Sequence, residues 1–143
     1  MTPTARADSE WATFKARLEA AQAEFARGRP GDFKALWSHA DDVTICGGLG
    51  GGVELGWDKV AARLDWASSN YTDGTRSWQE ISGTVGADFA YLVQLETIDF
   101  RVASRTDRVH QVLRSTMVLR RESDGWRILH RHADSQTSAQ APQ

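Results

Sequence analysis

This chain of 143 residues has only one cysteine, no long apolar run and no large excess of one charge. The single cysteine, Cys46, cannot form an internal disulfide, and an unpaired thiol suits the reducing cytoplasm, which is the predicted location. No apolar stretch approaches the roughly 20 residues that span a membrane, so no membrane contact is expected. The N-terminal sequence also lacks the apolar segment of a signal peptide, which favours the same location.

The charge balance excludes a general nucleic-acid binder. The 17 Lys and Arg residues almost offset the 19 Asp and Glu residues, and the formal net charge is −2. Proteins that bind nucleic acid usually present a strongly basic face, so nucleic acid is not an expected partner. Hydrophobic residues make up 41% of the chain, which is typical of an ordinary globular domain. We expect one domain over residues 8–135, between flexible tails at 1–7 and 136–143.

Apolar residues at helical spacing predict three helices in the first half of the chain. The first begins near Asp8 and ends at about Arg27, before the glycines and proline of 28–31. The second covers Phe33 to about Ser38, and the third covers Trp57 to about Ser69. Each has an apolar stripe, which predicts that one face of each helix packs on a common core.

The second half of the chain changes to the alternating pattern of strands after a turn expected at Asp73-Gly74. Helices followed by an antiparallel meander predict an α+β fold, in which three helices cover a curved, cone-shaped antiparallel sheet. A cavity is expected between the two layers. The predicted strands are Val43–Cys46, 53–55, Trp78–Gly86, Phe89–Val102, Val109–Arg121 and Trp126–Ser135.

A glycine-rich loop, GGLGGG at positions 47–52, separates the two short strands. A phosphate-binding loop would end in Lys followed by Ser or Thr and would lead into a helix. Here a strand-like Val-Glu-Leu follows instead. The composition therefore predicts a flexible hairpin tip or a lid over the cavity.

The C-terminal hairpin determines which side chains can meet a ligand. A three-residue turn over 123–125 predicts that Met117 lies opposite Arg131, and Val118 opposite His130. We expect the more apolar, odd-numbered face of the last long strands to be concave and covered by the helices. A four-residue turn would invert this assignment. The predicted ligand-pocket residues are Trp37, Trp57, Tyr91, Val93, Leu95, Ser115, Met117, Leu129 and Arg131.

Arg131 is the residue on which the predicted pocket depends. As an isolated cation in a mostly apolar cavity, it would orient a ligand that carries a carbonyl group or a negative charge. Alternatively, it pairs with an acid such as Glu54 or Glu96, or extends its charged end to the rim. The expected ligand is a small apolar or carbonyl-bearing molecule.

The opposite, convex face is predicted to form a homodimer, because Trp126 and Ile128 would need a cover there. His130 and His132 share this face and could ligate a metal together with Asp134 or His110. A single His-x-His pair is a weak metal signal, so no metal and no other cofactor is predicted. The predicted interface residues are Thr116, Val118, Trp126, Ile128, His130 and His132.

Four segments resemble the SnoaL-like branch of the nuclear transport factor 2-like superfamily, which includes ketosteroid isomerases and polyketide cyclases. They are GDFKALWSHADDVTI, GWDKVAARL, GADFAYLVQLE and RSTMVLRRESDGWRILHRHADS, within about residues 10–135. The resemblance implies a cone-shaped sheet with a pocket at its wide end, and commonly a homodimer. It also implies that any activity is of the cyclase, isomerase or dehydratase type, without a cofactor, on an apolar carbonyl compound.

The catalytic residues of ketosteroid isomerases have no counterpart in this sequence. The resemblance places the catalytic aspartate at about Gly47 and a buried acid near Leu113 or Ser115, and the first helix contains no tyrosine for the oxyanion. Steroid isomerisation is therefore not expected, and no catalytic residue is assigned. Because the branch also includes association domains of calmodulin-dependent kinases, the alternative is a non-catalytic dimerisation or accessory module.

Overall fold

The computed structural model of the protein describes residues 2–142, and Met1 and Gln143, which belong to the two expected tails, lie outside the described residues. Helix α1 spans Pro3–Phe25, and its buried side chains recur every three or four positions. The helix begins five residues before the predicted start at Asp8. Helix α2 spans Gly31–Ala35 and helix α3 spans Trp57–Ser68.

Six strands form one sheet in the order β2-β1-β6-β5-β4-β3. All neighbouring strands are antiparallel except β1 and β6, which pair in parallel, a pairing that the sequence did not predict. The predicted α+β architecture, with helices against a curved sheet, is confirmed. The strands are β1 Thr44–Cys46, β2 Val53–Leu55, β3 Tyr71–Val85, β4 Phe89–Val102, β5 Arg108–Glu122 and β6 Gly125–Ser135.

Strand β3 begins earlier than predicted. The expected turn at Asp73-Gly74 is wrong, because the chain is already paired with β4 at Tyr71 and passes through an irregularity between Thr72 and Thr75. Asp73 has a φ of 52° within this bulge. The extra length brings Arg76 into the sheet, next to a cavity between the sheet and the helices.

The concave face of β4 carries the even-numbered residues, which corrects the sequence assignment. Leu92 is 1% exposed, whereas Tyr91 on the other face is 40% exposed, and Val93 and Leu95 share that outer face with Tyr91. Both faces of β4 contain apolar residues, and the buried face includes the polar Gln94 and Glu96. The simple rule that the more apolar face is buried therefore gave the wrong side.

The β5–β6 hairpin has a two-residue turn, with Glu122 opposite Gly125, instead of the predicted three-residue turn. A bulge on β6 at Leu129 then adds one residue. Beyond the bulge, from the pair of Val118 and His130 away from the turn, the predicted register holds, and Met117 lies opposite Arg131. Between the turn and the bulge, the residues of β6 lie on the opposite faces from those predicted. Trp126 and Ile128 therefore point into the core, where they are 5% and 0% exposed, and their predicted place on the outer face is wrong.

Candidate functional site

A cavity lies where α1, α2 and α3 meet the concave face of the sheet beside the glycine loop. Its room for water-sized molecules is about 30 Å³, enough for one or two waters. A drug-sized ligand needs roughly ten times that volume, so ligand entry requires the walls to move. The apolar part of the wall includes Phe25, Phe33, Ile45, Leu49, Leu64, Ala67 and Leu113.

The polar part of the wall is dominated by cations. Arg63 comes from α3, Arg76 from β3 and Arg131 from β6, and Gln22 of α1 and Tyr71 of β3 complete this part. Because these elements converge only in the folded chain, residues far apart in sequence line one small space.

Glu96 is the centre of the buried charges at this cavity. Arg131 donates to both its carboxylate oxygens, Nη1 to Oε2 at 2.8 Å and Nη2 to Oε1 at 2.9 Å. Arg76 donates to Oε1 from the neighbouring strand β3, and the Ser115 hydroxyl accepts from Arg131 Nη1 at 2.9 Å. The isolated-cation hypothesis for Arg131 is therefore wrong, and its alternative, a pair with Glu96, is confirmed.

Burial and ion pairing set the protonation of these groups. Burial alone would raise the pKa of Glu96, but the charges of Arg131 and Arg76 outweigh it and lower the pKa to about 2. Burial also disfavours the charged form of Arg131. The attraction of Glu96 outweighs this effect, so the pKa of Arg131 is raised. For Arg76 burial prevails over the attraction of Glu96, and the pKa is lowered. Arg76 also makes one hydrogen bond to Glu96 whereas Arg131 makes two, so Arg76 is the less well paired of the two.

Two donors on the cavity wall lack an acceptor. The Nε atom of Arg76 and the Nε2 atom of Gln22 are buried without a hydrogen-bond partner in the described part of the chain. The Gln22 carbonyl oxygen accepts from Trp78 Nε1 at 2.7 Å, which fixes the orientation of the amide. Buried donors are almost always satisfied in folded proteins, so two orphans on one cavity wall indicate a missing acceptor.

The glycine loop closes one side of the cavity, which fits the lid hypothesis. Gly47, Gly48 and Leu49 line the cavity, and Arg63 donates to the Gly50 carbonyl oxygen. A Cβ atom at Gly47 would lie 3.0 Å from the Arg63 Nε atom, so a larger residue there would require the guanidinium to shift by a few tenths of an ångström.

The other predicted pocket residues do not reach the cavity wall. Ser115 lies behind it as a partner of Arg131, and Met117 is fully buried in the core. Trp37 is also a core residue, 1% exposed, and Trp57 stacks on His39 with ring centroids 3.9 Å apart. Leu129 packs partly buried against the core at the β6 bulge. Tyr91, Val93 and Leu95 are on the outer face, as described above.

Sequence reasoning missed Gln22 and Arg76, and it named Glu96 only as a possible partner of Arg131. Gln22 interrupts the apolar stripe of α1 four positions after Leu18, and Glu96 stands within the apolar β4, so both carried a readable signal. Arg76 showed no such signal in the sequence, because its position was predicted to be near a turn rather than in a strand.

The lining favours binding over proton transfer. Among the described residues that line the cavity there is no Asp, Glu or His. Glu96, directly behind the wall, is held ionised by two arginines, so it is a poor proton acceptor. Within residues 2–142, no three His, Cys, Asp or Glu side chains are grouped in a way that could hold a metal ion. None of the described helices is both long and apolar enough to span a bilayer.

Comparison with known proteins identifies the fold and the family. Residues 15–136 match the family model of the SnoaL-like domain. A candidate dehydratase of the nuclear transport factor 2-like family from Streptomyces avermitilis is 20% identical, with a TM-score of 0.75 over 96% of this chain and 100% of that chain. No curated protein matches this chain significantly.

Two further solved structures share the fold under different names. A ketosteroid isomerase-like protein from Erwinia carotovora atroseptica is 16% identical, with a TM-score of 0.73 over 89% of this chain and 96% of that chain. A candidate association domain of calcium/calmodulin-dependent protein kinase type II from Thiobacillus denitrificans is 24% identical, with a TM-score of 0.63 over 95% and 96%. At such identities the likeness establishes the fold alone, and activity must be argued from the site.

Proposed function

We propose that this chain, which belongs to the SnoaL-like family, is a binding domain for a small apolar molecule that carries a carbonyl group. The observation that carries the proposal is the cavity, whose wall combines apolar side chains with the orphaned donors of Arg76 and Gln22. A carbonyl oxygen is an acceptor for such donors, and the apolar wall accommodates the rest of the molecule.

Binding is the function that this geometry supports best, ahead of catalysis. The names of two structural neighbours suggest dehydratase or isomerase chemistry, and both reactions need a base that removes a proton. The described lining residues provide donors and positive charge but no carboxylate or imidazole. The site therefore polarises a carbonyl group and holds it, and the arrangement supplies no acceptor for the proton.

Filling the cavity is expected to abolish binding. We predict that Ala67→Phe weakens every ligand of the wild-type protein at least about tenfold, because the added ring exceeds the open volume beside α3. The measurement is a thermal-shift screen with small aryl and alkyl ketones, acids and amides, followed by calorimetric titration of the compounds that raise the Tm.

The matched control is Ala62→Phe, an exposed position on the same helix. It is expected to bind the same compounds with wild-type affinity. Unchanged affinity in Ala67→Phe would place the ligand outside this cavity and refute the proposal.

We also propose that the outer face of the sheet joins two copies of the chain in a homodimer. On this face Val118 of β5 lies between Tyr91 of β4 and His130 of β6. Phe89 on the same face is 54% exposed. Burial lowers the pKa of His130, with a contribution from His132, and a neutral imidazole suits an apolar contact. One structural neighbour is named an association domain, which supports assembly through this fold.

A charge at the centre of this face is expected to separate the copies. We predict that Val118→Glu converts a dimer into a monomer in light scattering, since two buried carboxylates would face each other across the two-fold axis. Val85→Glu is the control, because Val85 pairs with Ala90 and points away from the outer face. A dimeric Val118→Glu protein, or a monomeric wild type, would contradict the proposal.

A further inference from the structure

The charges buried at the cavity do not balance. Arg76 and Arg131 are 3% and 8% exposed at their side chains, and both pair with the single carboxylate of Glu96. One positive charge is therefore left over in the interior, and Arg63 adds a second at the lid. A buried charge without a counter-charge is costly, so the site is most stable when an anion joins it.

The orphaned donors lie where this surplus charge lies. Arg76 uses Nη1 for Glu96, whereas its Nε atom has no acceptor among the described residues. The amide nitrogen of Gln22, on the same cavity wall, is also without an acceptor. A ligand that brings acceptor oxygens together with a negative charge would satisfy both donors and the surplus charge.

A carboxylate fits these requirements better than a neutral carbonyl group. Its two oxygens match the planar edge of a guanidinium, and its single charge equals the surplus left by the Arg76, Glu96 and Arg131 group. A ketone or an amide could accept hydrogen bonds from these donors through its oxygen but would leave the charge uncompensated.

The remainder of the ligand faces aromatic and aliphatic side chains. Phe25 contacts Phe33 and Tyr71 edge to face, with ring centroids 5.3 Å and 5.8 Å apart, and Leu64 continues this wall from α3. Such a wall gains free energy by covering an apolar tail and offers no partner for a second charged group.

We propose that the ligand is an apolar monocarboxylate, whose carboxylate binds Arg76 and Gln22 and whose tail lies against Phe25 and Tyr71. This inference rests on the proposed binding function and narrows it to one chemical class. Arg63 is positioned to add a third contact from the lid side, since it lines the same cavity.

The test compares acids with their neutral isosteres. Calorimetric titration is carried out with short aryl and branched alkyl carboxylates and with the primary amide of each acid. We expect the preferred acid to bind wild-type protein at least about tenfold more tightly than its amide, a difference typical of a charge-assisted hydrogen bond. Equal affinity of acid and amide would overturn the carboxylate inference and leave the binding function intact. If no acid and no amide bound, the inference would be overturned together with the proposed function.

Variants locate the carboxylate within the cavity. Arg76→Met leaves Glu96 paired with Arg131 and is expected to remove the preference for the acid while the amide still binds. Gln22→Met keeps every charge and is expected to weaken the acid several-fold. The control, Arg114→Met, removes an exposed arginine that pairs with Asp134 on the outer face and is expected to keep the preference. A preference for the acid that persists in both cavity variants would overturn the assignment to Arg76 and Gln22.

Discussion

Glu96→Gln is expected to lower the free energy of unfolding by about 3 kcal/mol or more. The substitution keeps the shape of the side chain but leaves Arg76 and Arg131 buried without a counter-charge. Their side chains are only 3% and 8% exposed, so water cannot solvate the released charges unless the structure opens. Urea denaturation followed by circular dichroism measures the change.

The control is Asp134→Asn, which breaks an ion pair of similar geometry at the surface. Arg114 donates to the two oxygens of Asp134 at 2.7 Å and 2.9 Å, but the side chains are 63% and 45% exposed. Its loss is expected to cost less than about 1 kcal/mol, because water solvates the released charge. Similar losses in the two variants would show that burial does not determine the strength of the Glu96 pairs.

Glu96 also determines how the stability of the protein is expected to change as the pH falls. Because the pKa of Glu96 is lowered from 4.5 to about 2 in the folded protein, its contribution is fully present above pH 4.5 and is lost as the pH falls towards 2. The contribution at stake is about 3 kcal/mol. The difference in unfolding free energy between wild type and Glu96→Gln should therefore shrink over this window, and a constant difference would contradict the ionised state of Glu96.

The general architecture was accessible from sequence because it depends on periodicity. The stripe of α1 and the alternation of the four long strands predicted the elements and their layers. Periodicity could not assign the faces of β4, since apolar residues occur on both, and the buried one also carries Gln94 and Glu96. Polar residues that are satisfied by distant partners are invisible to a rule that counts local hydrophobicity.

The C-terminal hairpin shows a second limit of local reasoning. The turn composition predicted three residues, whereas the turn has two and the missing residue reappears as a bulge at Leu129. Arg131 was consequently placed on the correct face, and Trp126 and Ile128 on the wrong one. A bulge is selected by the fit of both strands to the helices above them, and no residue in the turn encodes it.

The candidate site was predictable only where one residue stood out. Arg131 stood out as a cation on an otherwise apolar strand, and Glu96 was named as its possible partner. The contribution of Arg76 could not be predicted without knowing where β3 begins. That start depends on how closely the end of α1 approaches the strand. This approach occurs at Gly74.

Gly74→Ala is expected to destabilise the protein by at least about 3 kcal/mol, through overpacking of backbone against backbone. A Cβ atom at position 74 would lie 2.0 Å from the carbonyl oxygen of Ala26 and 2.8 Å from its carbonyl carbon. No side-chain rotation can relieve this contact, so the segment after α1 must move away from β3. Because Arg76 follows two residues later, we expect ligand affinity to fall as well.

Gly31→Ala is the matched control for this substitution. Gly31 is the first residue of α2, and a Cβ atom there would meet no heavy atom within 4 Å. Alanine loses less backbone entropy than glycine on folding, so this variant should be neutral or gain up to about 1 kcal/mol. Thermal and urea denaturation of the two variants, measured side by side, separate the close approach at Gly74 from the general effect of replacing a glycine. If Gly74→Ala lay within about 1 kcal/mol of Gly31→Ala, the close packing of β3 on the end of α1 would be refuted.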